Sequence, residues 1–115
     1  MSQVKQATVW NPVCSLDDII PNTGICALVQ NKPVAVFHVK GEMESLFAID
    51  NFDPNSGASV LSRGLVGNLG QRIVVASPIF KHHFDLASGE CLEAPENSVN
   101  AYPVRVEDRT ILVGV

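Results

Sequence analysis

The stretch Ser77-Pro78-Ile79-Phe80-Lys81-His82-His83-Phe84-Asp85-Leu86-Ala87-Ser88-Gly89-Glu90 decides how this chain folds. A first strand is predicted from Phe80 to Phe84, and a second from Glu90 to Leu92. The segment Leu86-Ala87-Ser88-Gly89 lies between them, and Ser and Gly are residues that let a chain reverse its direction. The stretch therefore predicts a β-hairpin.

The rest of the chain repeats this pattern of short apolar runs and turns. Further strands are expected over Ile25 to Val29, Pro33 to Val39, Leu46 to Ile49, Ile73 to Ala76, Ala101 to Val106 and Ile111 to Val115. Turns are expected at Gln30-Asn31-Lys32, Lys40-Gly41-Glu42 and Glu107-Asp108-Arg109. Ser15-Leu16-Asp17-Asp18 predicts one capped helical turn, because the Ser15 hydroxyl can accept an early backbone N–H. Such a sequence is typical of an all-β sandwich or barrel of short antiparallel strands.

Length and composition indicate a globular protein that forms one domain over residues 1–115. Of its 115 residues, 46% are hydrophobic and 17% are charged. The net charge is −4, and its eight Lys and Arg lie singly, so no basic stripe is available for nucleic acid or a membrane surface. Met1 to Trp10 contains no secretory signal, and no apolar run approaches the roughly 18 residues of a membrane span. We therefore expect a cytoplasmic protein.

Three cysteines are present, and their number and spacing fit neither a disulfide framework nor a metal knuckle. They are Cys14, Cys26 and Cys91. Free cysteine behaves as a small hydrophobic residue. Buried, reduced thiols are therefore expected, in agreement with a reducing compartment.

The segment from Asn51 to Gln71 is the longest without a strand pattern, and it holds four glycines in 21 residues. Loops of this length in compact domains are usually functional. Its part from Ser59 to Gly70 combines apolar residues with a lone arginine, which is typical of the centre of a protein interface. The predicted partner-binding residues are Val60, Leu61, Arg63, Leu65 and Val66. The alternative is that the apolar residues fill the domain's own core.

Two segments of the chain resemble the cluster-binding loops of Rieske domains, in which C-P-H and C-P-W-H stretches hold a [2Fe–2S] centre. The first is Ala48 to Ala58 and the second is Ser77 to Glu90. Both keep the proline, and the second also keeps an F-D-L-x-x-G-E tail. The resemblance implies a Rieske-like, ISP-type β-sandwich.

All four cluster-ligand positions of that pattern are replaced here: they fall on Asp53, Asn55, Ser77 and Phe80. A Rieske centre needs thiolate sulfur on one iron and imidazole nitrogen on the other, and a phenyl ring cannot coordinate metal. We therefore expect no cluster and no other metal in this chain. Asp53 and Asn55 are expected to accept loop N–H groups in Asx turns. A divalent-metal site of Asp53, Asn55 and Ser77 is the weaker alternative, because one carboxylate and two neutral oxygens supply little charge.

The three histidines are expected to be structural or exposed. His82 and His83 fall on the predicted strand from Phe80 to Phe84, where adjacent side chains point to opposite faces. At most one of them could face the former ligand site. His38 lies in the predicted strand from Pro33 to Val39 and is expected to be a packed or surface residue.

The runs Asp53 to Gly67 and Val75 to Leu92 resemble the small subunit of the assimilatory NAD(P)H-dependent nitrite reductase. This resemblance implies a cytoplasmic, non-catalytic subunit that acts in nitrate assimilation. Its partner would be a large catalytic subunit that carries FAD, a [4Fe–4S] cluster and sirohaem and reduces nitrite to ammonium with six electrons. The loss of the Rieske ligands is that family's own pattern. No catalytic residue is assigned to this chain, because the sequence assembles no nucleophile–base or paired-carboxylate group.

Two other functions remain open from the residues alone. One is a Rieske-type, ferredoxin-like electron carrier of an oxygenase, which bound iron and visible absorbance would support. The other is a free-standing binding module that uses the vacated loop site for a small ligand, which would raise its melting temperature.

Overall fold

The computed structural model describes residues 9–41 and 44–115, and these residues form an all-β fold. The described strands are Trp10–Ser15 (β1), Thr23–Val29 (β2), Lys32–Lys40 (β3), Glu44–Asp50 (β4), Phe52–Asp53 (β5), Ala58–Ser59 (β6), Leu65–Leu69 (β7), Arg72–Ala76 (β8), His83–Asp85 (β9), Ala101–Tyr102 (β10), Val104–Glu107 (β11) and Thr110–Gly114 (β12). Single 3₁₀ turns occupy Leu16–Asp18, Leu61–Arg63 and Pro95–Asn97. The predicted all-β class is confirmed. In this part of the chain no helix is long and apolar enough to cross a membrane.

The strands pair only with antiparallel neighbours, in four groups. A four-stranded sheet has the order β10-β4-β3-β2, and two three-stranded sheets have the orders β1-β12-β11 and β7-β8-β9. The short strands β5 and β6 form a separate pair. The loop between β8 and β9 and the loop that contains β5 and β6 form the candidate functional site.

Two of the predicted hairpins are closed by turns whose central residues have positive φ. Gln30 and Asn31, between β2 and β3, have φ of 49° and 66°. Asp108 and Arg109, between β11 and β12, have φ of 50° and 64°. Two consecutive left-handed residues make a type I′ turn, whose twist matches that of the flanking strands. The predicted turn at Lys40-Gly41-Glu42 lies partly outside the described residues, as does most of the segment from Met1 to Trp10.

Strand β3 is buried on both faces, which explains its continuous apolar sequence. Ala35 and Phe37 face one core, which also contains Leu61, Val75 and Phe84. Val34 and Val36 point the opposite way, into a second core under the β1-β12-β11 sheet. This alternation follows from the two-residue period of a strand.

The N-terminal helical turn forms as the sequence predicts. The Ser15 hydroxyl accepts the N–H of Asp17, and the Asp18 carboxylate accepts the N–H of Ser15, which completes a capping box. The strand β1 before this turn was not predicted. It contains Pro12, and proline is tolerated there because β1 lies at the edge of its sheet.

Three predictions of strand or loop are wrong. The segment from Asn51 to Gln71 is not a long loop, because β5, β6, a 3₁₀ turn and β7 lie within it. Of the strand predicted from Phe80 to Phe84, only the end is a strand, because β9 begins at His83. The predicted strand from Glu90 to Leu92 is absent, and Cys91 forms a single β-bridge to Phe84 instead. The strand predicted from Ala101 to Val106 divides at Pro103, which has no N–H for a sheet.

The three cysteines are free, but they are not all buried. Cys91 is buried, Cys14 is half-buried, and Cys26 is exposed on β2. The prediction of buried thiols is therefore wrong for Cys26. The reason is the two-residue period of a strand: Ile25 and Ala27 pack against the second core, so Cys26 between them points to the opposite face.

Candidate functional site

Two loops form the site that the sequence identified. The first follows β4 and turns at Asp53, whose carbonyl accepts the N–H groups of Ser56 and Gly57 at 3.2 and 2.8 Å. Gly57 has a φ of 75°, which explains the glycine. The second loop runs from Ser77 to His82, and it is closed by the N–H of Ser77, which donates to the carbonyl of His82 at 2.9 Å. Each loop is therefore held by its own backbone hydrogen bonds.

The two side chains that the sequence analysis assigned to the cysteine positions of the Rieske pattern bond directly to each other. Ser77 Oγ donates to Asp53 Oδ2 at 2.5 Å, and both residues are fully buried. The other carboxylate oxygen, Asp53 Oδ1, accepts the N–H of Asn55 at 2.9 Å. The Asx turn predicted at Asp53 is therefore confirmed, whereas at Asn55 the side-chain oxygen accepts from the side chain of Asn97 rather than from a loop N–H. A polar bridge between the two loops thus stands where two thiolates would bind iron.

The former histidine positions have separate roles. Asn55 Oδ1 accepts from Asn97 Nδ2 at 2.8 Å, and Asn55 Nδ2 lies 3.6 Å from Cys91 Sγ. Asn55 therefore joins the first loop to the segment before β10. Phe80 is 58% exposed and lies in the turn from Pro78 to Phe80, so its ring does not fill the site.

The residues present do not fit a [2Fe–2S] cluster. The four positions offer no sulfur and no ring nitrogen, and a phenyl ring is not a ligand. Asp53 already accepts a hydrogen bond on each carboxylate oxygen, one of them from Ser77. The same bonds oppose the divalent-metal alternative. Among residues 9–41 and 44–115, His, Cys, Asp and Glu form no group of three or more that could hold a metal ion.

Two of the histidines are held by carboxylates, and the third has a buried ring nitrogen without a hydrogen-bond partner among residues 9–41 and 44–115. His38 is buried, as predicted for a packed residue, with Nδ1 3.0 Å from the carbonyl of Ile19 and Nε2 2.6 Å from Glu44. His82 lies in the loop rather than on a strand, which corrects its prediction, because β9 begins only at His83. Its Nδ1 is buried and has no hydrogen-bond partner in the described structure.

His83 is fixed by a residue that the sequence did not single out, Glu93. The Glu93 carboxylate accepts the backbone N–H of His83 at 2.7 Å and lies 2.5 Å from His83 Nδ1. Burial alone would raise the pKa of Glu93, but the hydrogen bonds from His83 outweigh it, so the pKa of this carboxyl is lowered. Glu93 therefore anchors the second loop at its C-terminal end.

Asn51 is a second functional side chain that the sequence did not reveal. It is buried, and its Oδ1 accepts the N–H of Ser62 at 2.7 Å. Its backbone carbonyl accepts the N–H of Leu61 at 3.0 Å. These bonds fix the 3₁₀ turn that precedes Gly64. Polar residues are common before turns, and only the fold shows which one is buried.

The predicted partner-binding residues do not share one environment. Leu61 is 0% exposed and packs in the core with Phe37 and Val75, so its assignment to an interface is wrong. Val60 is half-buried, and Val66 is also half-buried and packs against the same core. Arg63 is exposed, and Leu65 is 79% exposed. The alternative of core packing therefore holds for part of the set and fails for Arg63 and Leu65.

Comparisons with known proteins agree with this geometry. Residues 9–114 match the Rieske-like [2Fe-2S] domain family. Over 102 residues the chain is 42% identical to the small subunit of nitrite reductase (NADH) of Escherichia coli strain K12. The matched region covers 89% of this chain and 94% of that protein. The NMR structure of the E. coli protein NirD superimposes with a TM-score of 0.83 at 41% identity, over 91% of this chain and 94% of that one.

A third relative is a large subunit. Over 105 residues the chain is 37% identical to part of the nitrite reductase [NAD(P)H] large subunit of Klebsiella oxytoca. The matched region covers 91% of this chain but only 11% of that protein. A domain like this one is thus part of a large-subunit chain in that organism. From the nearly complete match to a small subunit, we conclude that this chain belongs to the Rieske-like domain family and, within it, to the small subunits of NADH-dependent nitrite reductase.

Proposed function

We propose that this chain is the cofactor-free small subunit of an NAD(P)H-dependent nitrite reductase and contributes binding surface rather than a redox centre. It acts with a large subunit that carries FAD, a [4Fe–4S] cluster and sirohaem. The large subunit supplies the six electrons that convert nitrite to ammonium in nitrate assimilation. The complex works in the cytoplasm.

One observation carries this proposal: the 2.5 Å hydrogen bond between Ser77 and Asp53, the residues at the two former cysteine positions. A buried hydroxyl and a buried carboxylate that satisfy each other stabilise the two loops without iron. The loops therefore keep a defined shape while the chain carries no electrons of its own. This supports an interaction role over that of a ferredoxin-like carrier.

The Klebsiella oxytoca relative supports the choice of partner. A region similar to this chain occupies 11% of that large subunit, so in one organism the domain and the large subunit are covalently joined. Two proteins that occur fused in one organism commonly act in contact when they are separate. We propose that Arg63 and Leu65, with the flanking Val60 and Val66, belong to the surface that touches the large subunit.

An affinity experiment tests the proposal. The tagged chain is used to retain proteins from native cytosol, and the retained material is examined by absorbance, metal analysis and sequencing of the retained chain. We expect a large protein with flavin and sirohaem bands, while the isolated small chain is colourless and free of iron. Stoichiometric iron in the isolated chain, with no large subunit retained, would replace this proposal with the electron-carrier function.

A further inference from the structure

A concave pocket of about 270 Å³ lies between the start of β7 and the second loop. It is lined by residues 63–65 and 76–78 together with Lys81. The two walls approach closely at Gly64, where an added Cβ would lie 2.3 Å from the carbonyl oxygen of Ala76. The two walls are joined where Leu65 of β7 pairs with Ala76 of β8.

Large apolar side chains are exposed in the wall of this pocket and in the adjacent turn. Leu65, in its wall, is 79% exposed, and Ile79 and Phe80, in the turn between Pro78 and Lys81, are 45% and 58% exposed. Large apolar side chains that cluster on a surface mark interaction sites more often than isolated ones do. The pocket thus lies beside apolar side chains that residues 9–41 and 44–115 leave exposed.

Two unpaired cations stand at the same pocket, although the chain as a whole is acidic, with a net charge of −4. Arg63 and Lys81 both line it and are both exposed, and neither forms an ion pair within residues 9–41 and 44–115. The other arginines, Arg72, Arg105 and Arg109, each pair with a carboxylate. The guanidinium of Arg63 is therefore free to form a bidentate contact with a carboxylate of another protein.

We infer that this cation-flanked pocket is the docking site for an acidic segment of the large subunit that also carries an apolar side chain. The inference rests on the proposed function and extends its contact surface from Arg63 and Leu65 to the second loop. A volume of about 270 Å³ is large enough to take an apolar side chain of a partner. The apolar residues supply the buried centre of the contact, and the two cations supply its charge.

Binding of the purified large subunit to this chain tests the inference by isothermal calorimetry and stopped-flow association. The double variant R63E/K81E is expected to raise Kd by about tenfold or more and to slow association at low salt. Added salt should slow association of the unaltered chain, and this dependence should weaken or reverse in the double variant. The control for charge reversal is K32E, at an exposed lysine that forms no ion pair within the described part of the chain and does not line the pocket.

A second pair of variants tests the apolar part of the proposed contact. Leu65→Ser and Phe80→Ser are expected to weaken binding by about tenfold each, because apolar anchors near the centre of an interface dominate its affinity. Val106→Ser, at a 40% exposed valine on β11, is the control and should leave Kd unchanged. If the melting temperatures of all variants are unchanged, weaker binding reflects a lost contact rather than a lost fold.

The outcomes distinguish the inference from the proposed function. If the unaltered chain binds the large subunit and R63E/K81E binds equally well, the docking site is elsewhere, while the subunit function stands. If the unaltered chain does not bind at all, the proposed function itself fails. If the chain alone forms dimers that the same variants dissociate, the occupant is a second copy, and the large subunit is the wrong partner for this surface.

Discussion

Ser77 Oγ and Asp53 Oδ2 lie 2.5 Å apart in the interior, and this bond joins the two loops at the positions that would bind one iron of a Rieske centre. The cluster that would cross-link the loops is thus replaced by a hydrogen bond between side chains. Because the bond is buried, it stabilises the loops only while both partners are present. The two side chains are therefore expected to act as a unit in stabilising the loops.

Asp53→Ala is expected to lower the free energy of unfolding by about 2 to 3 kcal/mol, because it leaves the Ser77 hydroxyl and the N–H of Asn55 without their acceptor. Ser77→Ala should cost less, and the double variant should cost less than the sum of the two. Urea unfolding measures all three. Strict additivity would mean that the two side chains are not coupled.

Gly64→Ala is expected to destabilise the fold by roughly 1 to 3 kcal/mol, because the new methyl group would lie 2.3 Å from the carbonyl oxygen of Ala76. Gly67→Ala is the matched control on the same region of chain, since an added Cβ there meets nothing within 4 Å. The comparison again uses urea unfolding. Equal stabilities of the two variants would show that β7 and β8 are not closely apposed at Gly64.

Because Glu93 is hydrogen-bonded to His83, we expect the free energy of unfolding to depend on pH. Burial alone would raise the pKa of Glu93, yet the hydrogen bonds from His83 lower it below its ordinary value of 4.5. A carboxyl whose pKa is lower when folded stabilises the protein above its unfolded pKa, and this contribution is lost as the pH falls through the folded value. The stability difference between the unaltered chain and Glu93→Gln should therefore be largest above pH 4.5 and shrink below it.

Chemical unfolding at a series of pH values measures that difference. Glu96→Gln is the control, because Glu96 is exposed and forms no ion pair in the described structure. Its stability difference should stay small and flat over the same range. A flat profile for Glu93→Gln as well would contradict the proposed anchor.

Ionisation of Tyr102 is expected to limit the stability of the fold at alkaline pH. Burial, and then its hydrogen bond of 2.5 Å to Asp50 Oδ1, raise the pKa of this phenol well above its ordinary value of 10.0. A phenol with a raised folded pKa stabilises the protein below its unfolded pKa, and this contribution is lost as the pH rises beyond that value. Tyr102 is the chain's one tyrosine, so tyrosinate absorbance reports on it alone. Its ionisation should coincide with alkaline unfolding, and ionisation near pH 10 in the folded chain would contradict this.

Sequence patterns predicted the parts of the fold that depend on local chemistry. The capping box at Ser15, the hairpin turn at Asn31 and the Asx turn at Asp53 each depend on residues that lie close together in the chain. In these cases the residue type and its spacing were sufficient. The assignment of Asp53, Asn55, Ser77 and Phe80 to the ligand positions rests instead on the resemblance to Rieske loops, and it stays a prediction.

The missed features depend on contacts between distant residues. Leu61 and Leu65 are equally apolar and four positions apart, yet one is 0% and the other 79% exposed. Only the 3₁₀ turn that Asn51 fixes decides which of them enters the core. Likewise, nothing local to Ser77 shows that its hydroxyl meets Asp53, because the two lie 24 residues apart. The sequence therefore did not show which of these apolar side chains is buried and which is exposed.

The most direct test of a cofactor-free subunit is NADH-dependent nitrite reduction by the purified large subunit, measured with and without the iron-free chain. We expect the iron-free chain to raise the rate of ammonium formation to a plateau at one chain per large subunit, and we expect iron reconstitution of the chain to add nothing. A rate increase that appears only after iron has been loaded into this chain would contradict the account.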